Sequence, residues 1–257
     1  MPLERFIATF DLHFGYERRS GHKAPLHDMK AWDVVMKFAQ DFKPHHWVFG
    51  GDMLDCGVVS HHNHGKPGRT EGLRLLQDAE ECQAQIIKPA RKLASKSATY
   101  IVGNHEHWLE DLTDDQPGLE GLVGIKPLLG LDNWTVVEQG GYHRIGKLHF
   151  IHGDQISGGT NAARNAVDSY SQSIRLGHFH TYQAATRTSA IHHELGHTGV
   201  VVPCLCTKDP KYGQGKPNRW MQGFDYGWVD THTGRFNDQV QIIVGGQSII
   251  DGRVYKS

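Results

Sequence analysis

Apolar runs in this chain are short, and five of them end on aspartate, asparagine or histidine, most after a glycine. Arg5-Phe6-Ile7-Ala8-Thr9-Phe10 reads as a strand that delivers Asp11-Leu12-His13. Trp47-Val48-Phe49 runs into Gly50-Gly51-Asp52, and Ala98-Thr99-Tyr100-Ile101-Val102 into Gly103-Asn104-His105-Glu106. Leu148-His149-Phe150-Ile151 ends in His152-Gly153-Asp154, and Ser173-Ile174-Arg175-Leu176 in Gly177-His178-Phe179-His180. An apolar strand that ends by offering an amide, an imidazole and a carboxylate marks an active-site edge.

Between these runs the apolar spacing lengthens to that of helices. Met29, Trp32, Val35, Met36 and Ala39 predict a helix that stops at Pro44. Leu73, Leu76, Ala79, Ile86, Ala90 and Leu93 predict a longer one from about Thr70, which Pro89 should kink or split. Two short helices are expected, one starting near Trp108 and one between Leu119 and Leu129, and another over 162–170. Trp134 to Val137 is a strand, and Gly146-Lys147 marks a hairpin between Tyr142–Ile145 and Leu148–Ile151. From Tyr182 onward the pattern is β-rich, with strands over 199–206, 227–231 and 240–244, a last pair near 248–250 and 254, and a turn at Thr231–Gly234. The tracts from Gly15 to Lys23, Ser60 to Pro67 and Lys208 to Arg219 read as loops.

Composition narrows this picture in a few places. A chain of 257 residues without a Pro/Ser-rich linker or internal repeat suggests one domain over residues 1–257. A net charge of −1 implies no global preference for nucleic acid or an anionic membrane, although a local basic groove is compatible with it. No apolar run is long enough to span a bilayer, and Met1–Arg5 leads into a strand without a signal-peptide core, so a cytoplasmic location is expected. The four cysteines are too few for a disulfide scaffold; Cys204 and Cys206 are either a thiolate pair for a metal or, the favoured reading, buried small residues. Histidine stands out, with 19 in the chain.

The histidines at strand ends matter most. Asp11, His13, Asp52, Asn104, His152, His178 and His180 form a mixed N/O donor set without sulfur, which suits Mn, Fe or Zn better than Ca or Mg. Their number suits two ions sharing one carboxylate, Asp52, whose two oxygens could each face a different ion. Asp55 is placed to orient a neighbour rather than to ligate. The His61, His62 and His64 tract sits in a Gly/Pro context that offers no rigid ligand frame, so it reads as substrate-facing or solvated. His192, His193 and His197 fall outside any ligand spacing.

In order and type, Asp11-Leu12-His13, Gly51-Asp52-Met53-Leu54-Asp55, Gly103-Asn104-His105-Glu106, His152-Gly153 and Gly177-His178-Phe179-His180 resemble the motifs of the calcineurin-like metallophosphoesterases. The compact build is similar to the stand-alone enzymes of bacteria and phages. The resemblance implies an α/β (α+β) four-layer sandwich, two mixed β-sheets face to face with helices outside. It implies two divalent ions, Mn first and Fe, Zn or Ni as alternatives: Asp11, His13, Asp52 and His180 on one, Asp52, Asn104, His152 and His178 on the other. His105 would act beside the substrate phosphate, Asp55, Glu106 and Asp154 would orient the site, and a metal-bridging hydroxide would attack phosphorus. The implied function is phosphodiester hydrolysis, with phosphomonoesters as secondary substrates and nucleotides or nucleic acid among the candidates. Protein Ser/Thr phosphatases carry Arg where this chain has Cys56, which points away from phosphoproteins. His152-Gly153-Asp154 looks like the motif of the UDP-diacylglucosamine pyrophosphatases, but no lipid-binding insertion is evident. Asp11 to Gly15 is similar to the SbcD-type nucleases, making end processing of DNA or RNA the alternative, with Arg18, Arg19, Lys23 and the Lys208–Arg219 loop as contacts. A non-catalytic scaffold would need lost ligands, and none is lost.

Overall fold

The computed structural model describes residues 2–191, 196–211, 215 and 217–257. The chain begins with strand β1 (Leu3–Thr9), the ribbon β2 (Tyr16–Arg19) and β3 (His22–Pro25), helix α1 (Met29–Phe42) and β4 (His46–Phe49). Helical segments α2 (Pro67–Thr70), α3 (Leu75–Cys82) and α4 (Lys88–Leu93) precede β5 (Ser97–Ile101), α5 (Asn104–Asp115), α6 (Ile125–Leu129) and β6 (Thr135–Val137). The hairpin β7 (His143–Ile145) and β8 (Leu148–Ile151) leads to α7 (Ala162–Tyr170), then β9 (Ser173–Leu176), β10 (Gln183–Arg187) and β11 (His197–Val201). Two long strands, β12 (Gln222–Asp230) and β13 (Phe236–Ile243), and the ribbon β14 (Gln247–Ile250) and β15 (Arg253–Lys256) complete it.

Two mixed sheets result. The first has the order β13-β12-β1-β4-β5-β6, with β1, β4, β5 and β6 parallel. The second has the order β10-β11-β9-β8-β7, with β8, β9 and β11 parallel between antiparallel edges. Side-chain alternation sorts residues into layers. On β1, β4 and β5, Ile7, Trp47, Phe49 and Tyr100 face helices that contribute Trp32, Val35, Ala79, Ile86 and Leu109. Their neighbours Phe6, Ala8, Val48 and Ile101 meet Ile145, Leu148 and Phe150 of the second sheet. The outer face of that sheet, Ile151, Ile174, Leu176 and Val201, is covered by Ala162, Ala166 and Val167 of α7. The α/β architecture is therefore helix, sheet, sheet, helix, and each fully buried branched or aromatic side chain contributes roughly 1.5–3 kcal/mol.

The same alternation sends Arg175 of β9 between the sheets, where its Nη2 donates to Asp238 Oδ1 at 2.7 Å across the interface. Asp225 of β12 lies beside them, 0 % exposed, and burial followed by the nearby Asp238 pushes its carboxyl well up. The pattern along Ser173–Leu176 alone reads as an ordinary apolar strand, so this buried charged contact is a structural finding.

Several boundaries differ from the expected ones for definable reasons. The helix expected from Thr70 begins at Leu75; Leu73 reaches the core from the preceding turn, and Leu76 is 60 % exposed rather than part of the stripe. Pro89 does not end the helix, which continues to Leu93, but the regular α-helical turns are interrupted ahead of it. It has no N–H to donate, and just before it residues 83–87 widen into a π-helical turn with Lys88 N–H bonded to Gln83 O. The tract from Gly15 to Lys23 contains the ribbon β2–β3 rather than loop alone, closed over Tyr16 by Lys23. Helix α5 starts at Asn104, not near Trp108. Beyond Val201 the chain leaves the sheet, so Cys204 and Cys206 sit in isolated bridges instead of a regular strand. His192 and His193 lie outside the described residues. Among the described residues no helix is long and apolar enough to cross a membrane.

His143 also faces the intersheet layer, its Nε2 3.3 Å from Thr99 Oγ1 of the opposite sheet. Burial, with a smaller contribution from His46, pulls its pKa down to about 4. A histidine that charges more readily unfolded than folded costs stability as pH falls from about 6.5 towards 4. Denaturant midpoints should therefore decline across that window, and His143→Gln, which keeps a hydrogen-bonding side chain but cannot titrate, should flatten the decline. An unchanged slope in the variant would assign the loss to another group.

Candidate metal centre

Five parallel strands of the two sheets, β1, β4, β5, β8 and β9, end at one edge and release their polar residues there. The segments after β1 and β4 stay paired, Asp11 N–H donating to Gly51 O at 3.1 Å and His13 N–H to Asp52 O at 2.8 Å. This edge is strained. Asp11, His13, Asp52, His178 and His180 all have φ between 50° and 66°, a left-handed conformation that costs about 1–3 kcal/mol per residue outside glycine.

Glycines let the ligand atoms come this close. A Cβ on Gly103 would stand 2.2 Å from Asp52 Oδ1, one on Gly177 would stand 2.4 Å from Asp11 Oδ2, and one on Gly51 would stand 2.4 Å from His152 Nδ1. The Gly preceding Asp, Asn or His in three of the motifs is thus required by contact with a side chain from another strand.

Each carboxylate is half committed. Asp11 Oδ2 accepts from His178 N–H at 2.8 Å, and Asp52 Oδ1 accepts from His105 N–H at 2.9 Å. Asp11 Oδ1 is left fully buried without a hydrogen-bond partner. Asp52 Oδ2 lies 3.3 Å from His152 Nε2 and 3.9 Å from His13 Nε2. Oδ1 of Asp52 accepts from the α5 backbone, and both imidazole groups face Oδ2.

The imidazoles are aimed in the same way. His13 Nδ1 pairs with Asp55 Oδ1 at 3.2 Å and His152 Nδ1 donates to Gly50 O at 3.0 Å, turning both Nε2 atoms inward. His13 Nε2 and His180 Nε2 stand 3.2 Å apart, and His180 Nε2 is 3.5 Å from Asp11 Oδ1. On the other side of Asp52, Asn104 Oδ1 lies 3.0 Å from His152 Nε2 and 2.9 Å from His178 Nδ1. All seven predicted donors therefore converge: Asp11 with His13 and Asp52, and Asp52 with His152 and His178, form two groups that meet at Asp52, and His13 belongs to two further clusters, with His180 and Cys206 and with Asp55 and His105.

This donor set fits divalent cations. Donors about 2.0–2.2 Å from a metal are separated by roughly 3.0–3.4 Å, close to several of the spacings above. Asp11 Oδ1 is an orphaned buried acceptor, which a cation would satisfy. Burial alone would keep His152 neutral, but Asp52 and Asp11 outweigh it and push its pKa up to about 10. The buried carboxylates thus demand positive charge, as protons on imidazole or as cations.

His105 is held beside these groups. Its Nδ1 donates to the backbone oxygen of Asp55 at 2.8 Å, its ring lies against Trp108 with centroids 4.1 Å apart, and its Nε2 stands 4.0 Å from Asp52 Oδ2. Burial opposes its charge, but Asp52 and Asp55 push its pKa up to about 9. Cations at the carboxylates would oppose that rise. Glu106 reaches beneath the site: its carboxylate accepts from the backbone N–H groups of Asp52, Met53, Leu54 and Gly103 and from Tyr100 OH, at 2.7–3.0 Å. Asp154 instead accepts from Gln139 at 2.5 Å, while Gly50 O is what holds His152. Cys206 Sγ lies 3.8 Å behind His180 Nδ1, and burial keeps it a thiol; Cys204 Sγ donates to Met221 O.

The groups open into a cleft of about 630 Å³ whose wall includes Lys66, Arg69, Trp108 and Trp220. Sequence reading passed over these four as site residues. A usable signal was present, because no acidic residue occurs between Asp55 and Glu71.

No family profile and no curated protein matches the chain. Among solved structures it is similar to Vps29 of Chaetomium thermophilum, at 9% identity and TM-score 0.43 over 93% of this chain and 97% of that one. It is also similar to TT1561 of Thermus thermophilus, at 9% identity and TM-score 0.35 over 93% of this chain and 99% of that one. Likenesses this distant define neither family nor activity.

The contact between Gly103 and Asp52 can be tested. Gly103→Ala should retain the far-UV circular dichroism of the parent while weakening Mn²⁺ binding, measured by calorimetry, by about tenfold or more, as a displaced carboxylate ligand requires. Unchanged affinity would mean that Asp52 does not hold the ion.

Proposed function

We propose that this chain is a calcineurin-like metallophosphoesterase that hydrolyses phosphodiesters, and phosphomonoesters more slowly, with two divalent ions at Asp52. The observation that carries this reading is the pair of donor groups meeting at Asp52 Oδ2, with His105 Nε2 facing the same cleft. Asp11, His13, Asp52 and His180 would hold one ion, and Asp52, Asn104, His152 and His178 the other. Mn²⁺ is favoured by the N/O donor set, with Fe, Zn or Ni as alternatives. Ions held there supply charge stabilisation of the phosphoryl oxygens and a nucleophile at neutral pH.

The remaining chemistry belongs to the chain. His105, protonated at Nε2, donates to the leaving oxygen as the P–O bond breaks. Its Nδ1–H stays on the Asp55 carbonyl, so the ring keeps its orientation while the proton moves. Glu106 keeps the Asp52 backbone from shifting when charge builds in the cleft. Lys66 and Arg69 at the cleft wall attract the anionic substrate.

Two outcomes are expected. Metal-stripped protein should regain activity with Mn²⁺ and should cleave bis-p-nitrophenyl phosphate faster than p-nitrophenyl phosphate. The reverse preference would make it a phosphatase, and no turnover despite bound ions would favour a non-catalytic scaffold. His105→Ala should keep its metal content by elemental analysis but lose about 10²–10⁴-fold in turnover. Full activity in that variant would remove His105 from the reaction.

A further inference from the structure

We propose that the substrate of this site is a single-stranded nucleic acid, whose backbone runs from the metal cleft into an adjoining basic groove; this rests on the phosphoesterase reading above. The groove, about 260 Å³, shares Asp55, Gly57, Asn63 and Arg69 with the cleft and continues past Tyr16 and Thr70 to Arg18 and Lys211. Four cationic side chains, Lys66, Arg69, Arg18 and Lys211, therefore line one continuous path. In a chain of net charge −1 this is a local concentration, since residues 56–70 include no acid. Among the described residues no carboxylate forms an ion pair with Arg18 or Arg69.

The far wall is built rather than incidental. Lys211 N–H donates to both oxygens of Glu17 at 2.9 and 3.0 Å, Lys211 Nζ donates to Arg18 O at 2.9 Å, and Arg19 holds the Asp209 carbonyl. These contacts fasten β2 to the segment after Cys206. Of the two acids that line the groove, Glu17 is thereby occupied by Lys211 and by Arg19, and Asp55 by His13 and His105. At the near wall, Asn63 Nδ2 donates to Gly57 O at 2.7 Å and holds the loop that carries Lys66 and Arg69. Inside the cleft, half-buried Trp220 lies against His180 with centroids 4.2 Å apart, offering an aromatic surface of the kind on which bases stack.

The distribution of charge selects the ligand class. A phosphoprotein brings its charge to one point, whereas cations that continue away from the donor groups suit a ligand with a phosphate at every residue. The donors Asp11, His13, Asp52, His152 and His180 are at most 5 % exposed. A duplex, stiff over about 150 base pairs, cannot bend a phosphate that deep, but a single strand can.

The test uses the full chain loaded with Mn²⁺ and a short fluorescein-labelled thymidine oligonucleotide. Binding is read by anisotropy in the His105→Ala background between about 50 and 200 mM salt. Adding Arg18→Gln and Arg69→Gln should weaken binding about tenfold or more and lower the slope of log K against log salt by about 1.4, near 0.7 per lost phosphate contact. With His105 restored, the same pair should reduce oligonucleotide cleavage about tenfold more than cleavage of bis-p-nitrophenyl phosphate. An unchanged salt slope, equal losses on both substrates, or equal affinity for the matching duplex or for a polyglutamate peptide would overturn the proposal. If bis-p-nitrophenyl phosphate resists cleavage with every metal, the phosphoesterase reading fails by itself, and the anisotropy series still reports on the groove.

Discussion

The Glu106 carboxylate is the contact on which the site depends. Its oxygens accept from four backbone N–H groups and one tyrosine hydroxyl, so every neighbour is a donor. Burial and Asp52 push its carboxyl up, and four of its five partners are backbone N–H groups that can only donate to the charged form. Three of those N–H groups belong to Asp52, Met53 and Leu54, which leave β4 in a conformation that ordinary strand pairing cannot satisfy. A helix side chain thus does the work of a missing strand neighbour, and by gripping the Asp52 backbone it presents Oδ2 to the cleft. Hydrogen bonds to a charged, buried group are among the strongest available, about 1.5–3 kcal/mol each.

That grip also explains how the strain is tolerated. Five of the predicted donor residues adopt left-handed backbones, a conformation that persists where surrounding contacts hold it. Asp11 is held by Gly51 O and by His178 N–H; His178 carries the same strain and is held in return. The glycines of the motifs complete the arrangement by letting a backbone pass within contact of a carboxylate or imidazole from another strand. Removing one element would release several others, so the donor cluster and the local fold are one cooperative unit.

Around this unit the charge is uneven. The donor groups place buried carboxylates at the floor of the cleft, while the loop from Ser60 to Thr70 and the β2 ribbon place cations at its wall. Cys56, beside this floor, is buried, left-handed and kept as a thiol by burial. An anion is therefore met along its length more than at its reacting end.

How much of this was legible in the sequence follows from the range of each interaction. Strand ends that release Asp, His and Asn are local patterns, and the residues they mark come together at one edge because a strand must exit there. Helices α1 and α7 were equally readable, since apolar spacing and Pro44 act within a few residues. The two-residue turn at Gly146-Lys147 was readable for the same reason. Tertiary structure alone decided which atom of each residue faces the cleft. That Asp52 offers Oδ2 to both groups depends on a backbone N–H 53 residues away. The choice of nitrogen on His13 depends on Asp55, 42 residues away. Glu106 as the clamp, Arg175 between the sheets and Arg18 beside Arg69 likewise arise between segments distant in the chain. Sequence pattern reports which way a side chain leaves its own strand or helix; the partner it meets is set by how the sheets pack, and that packing has no local period to read.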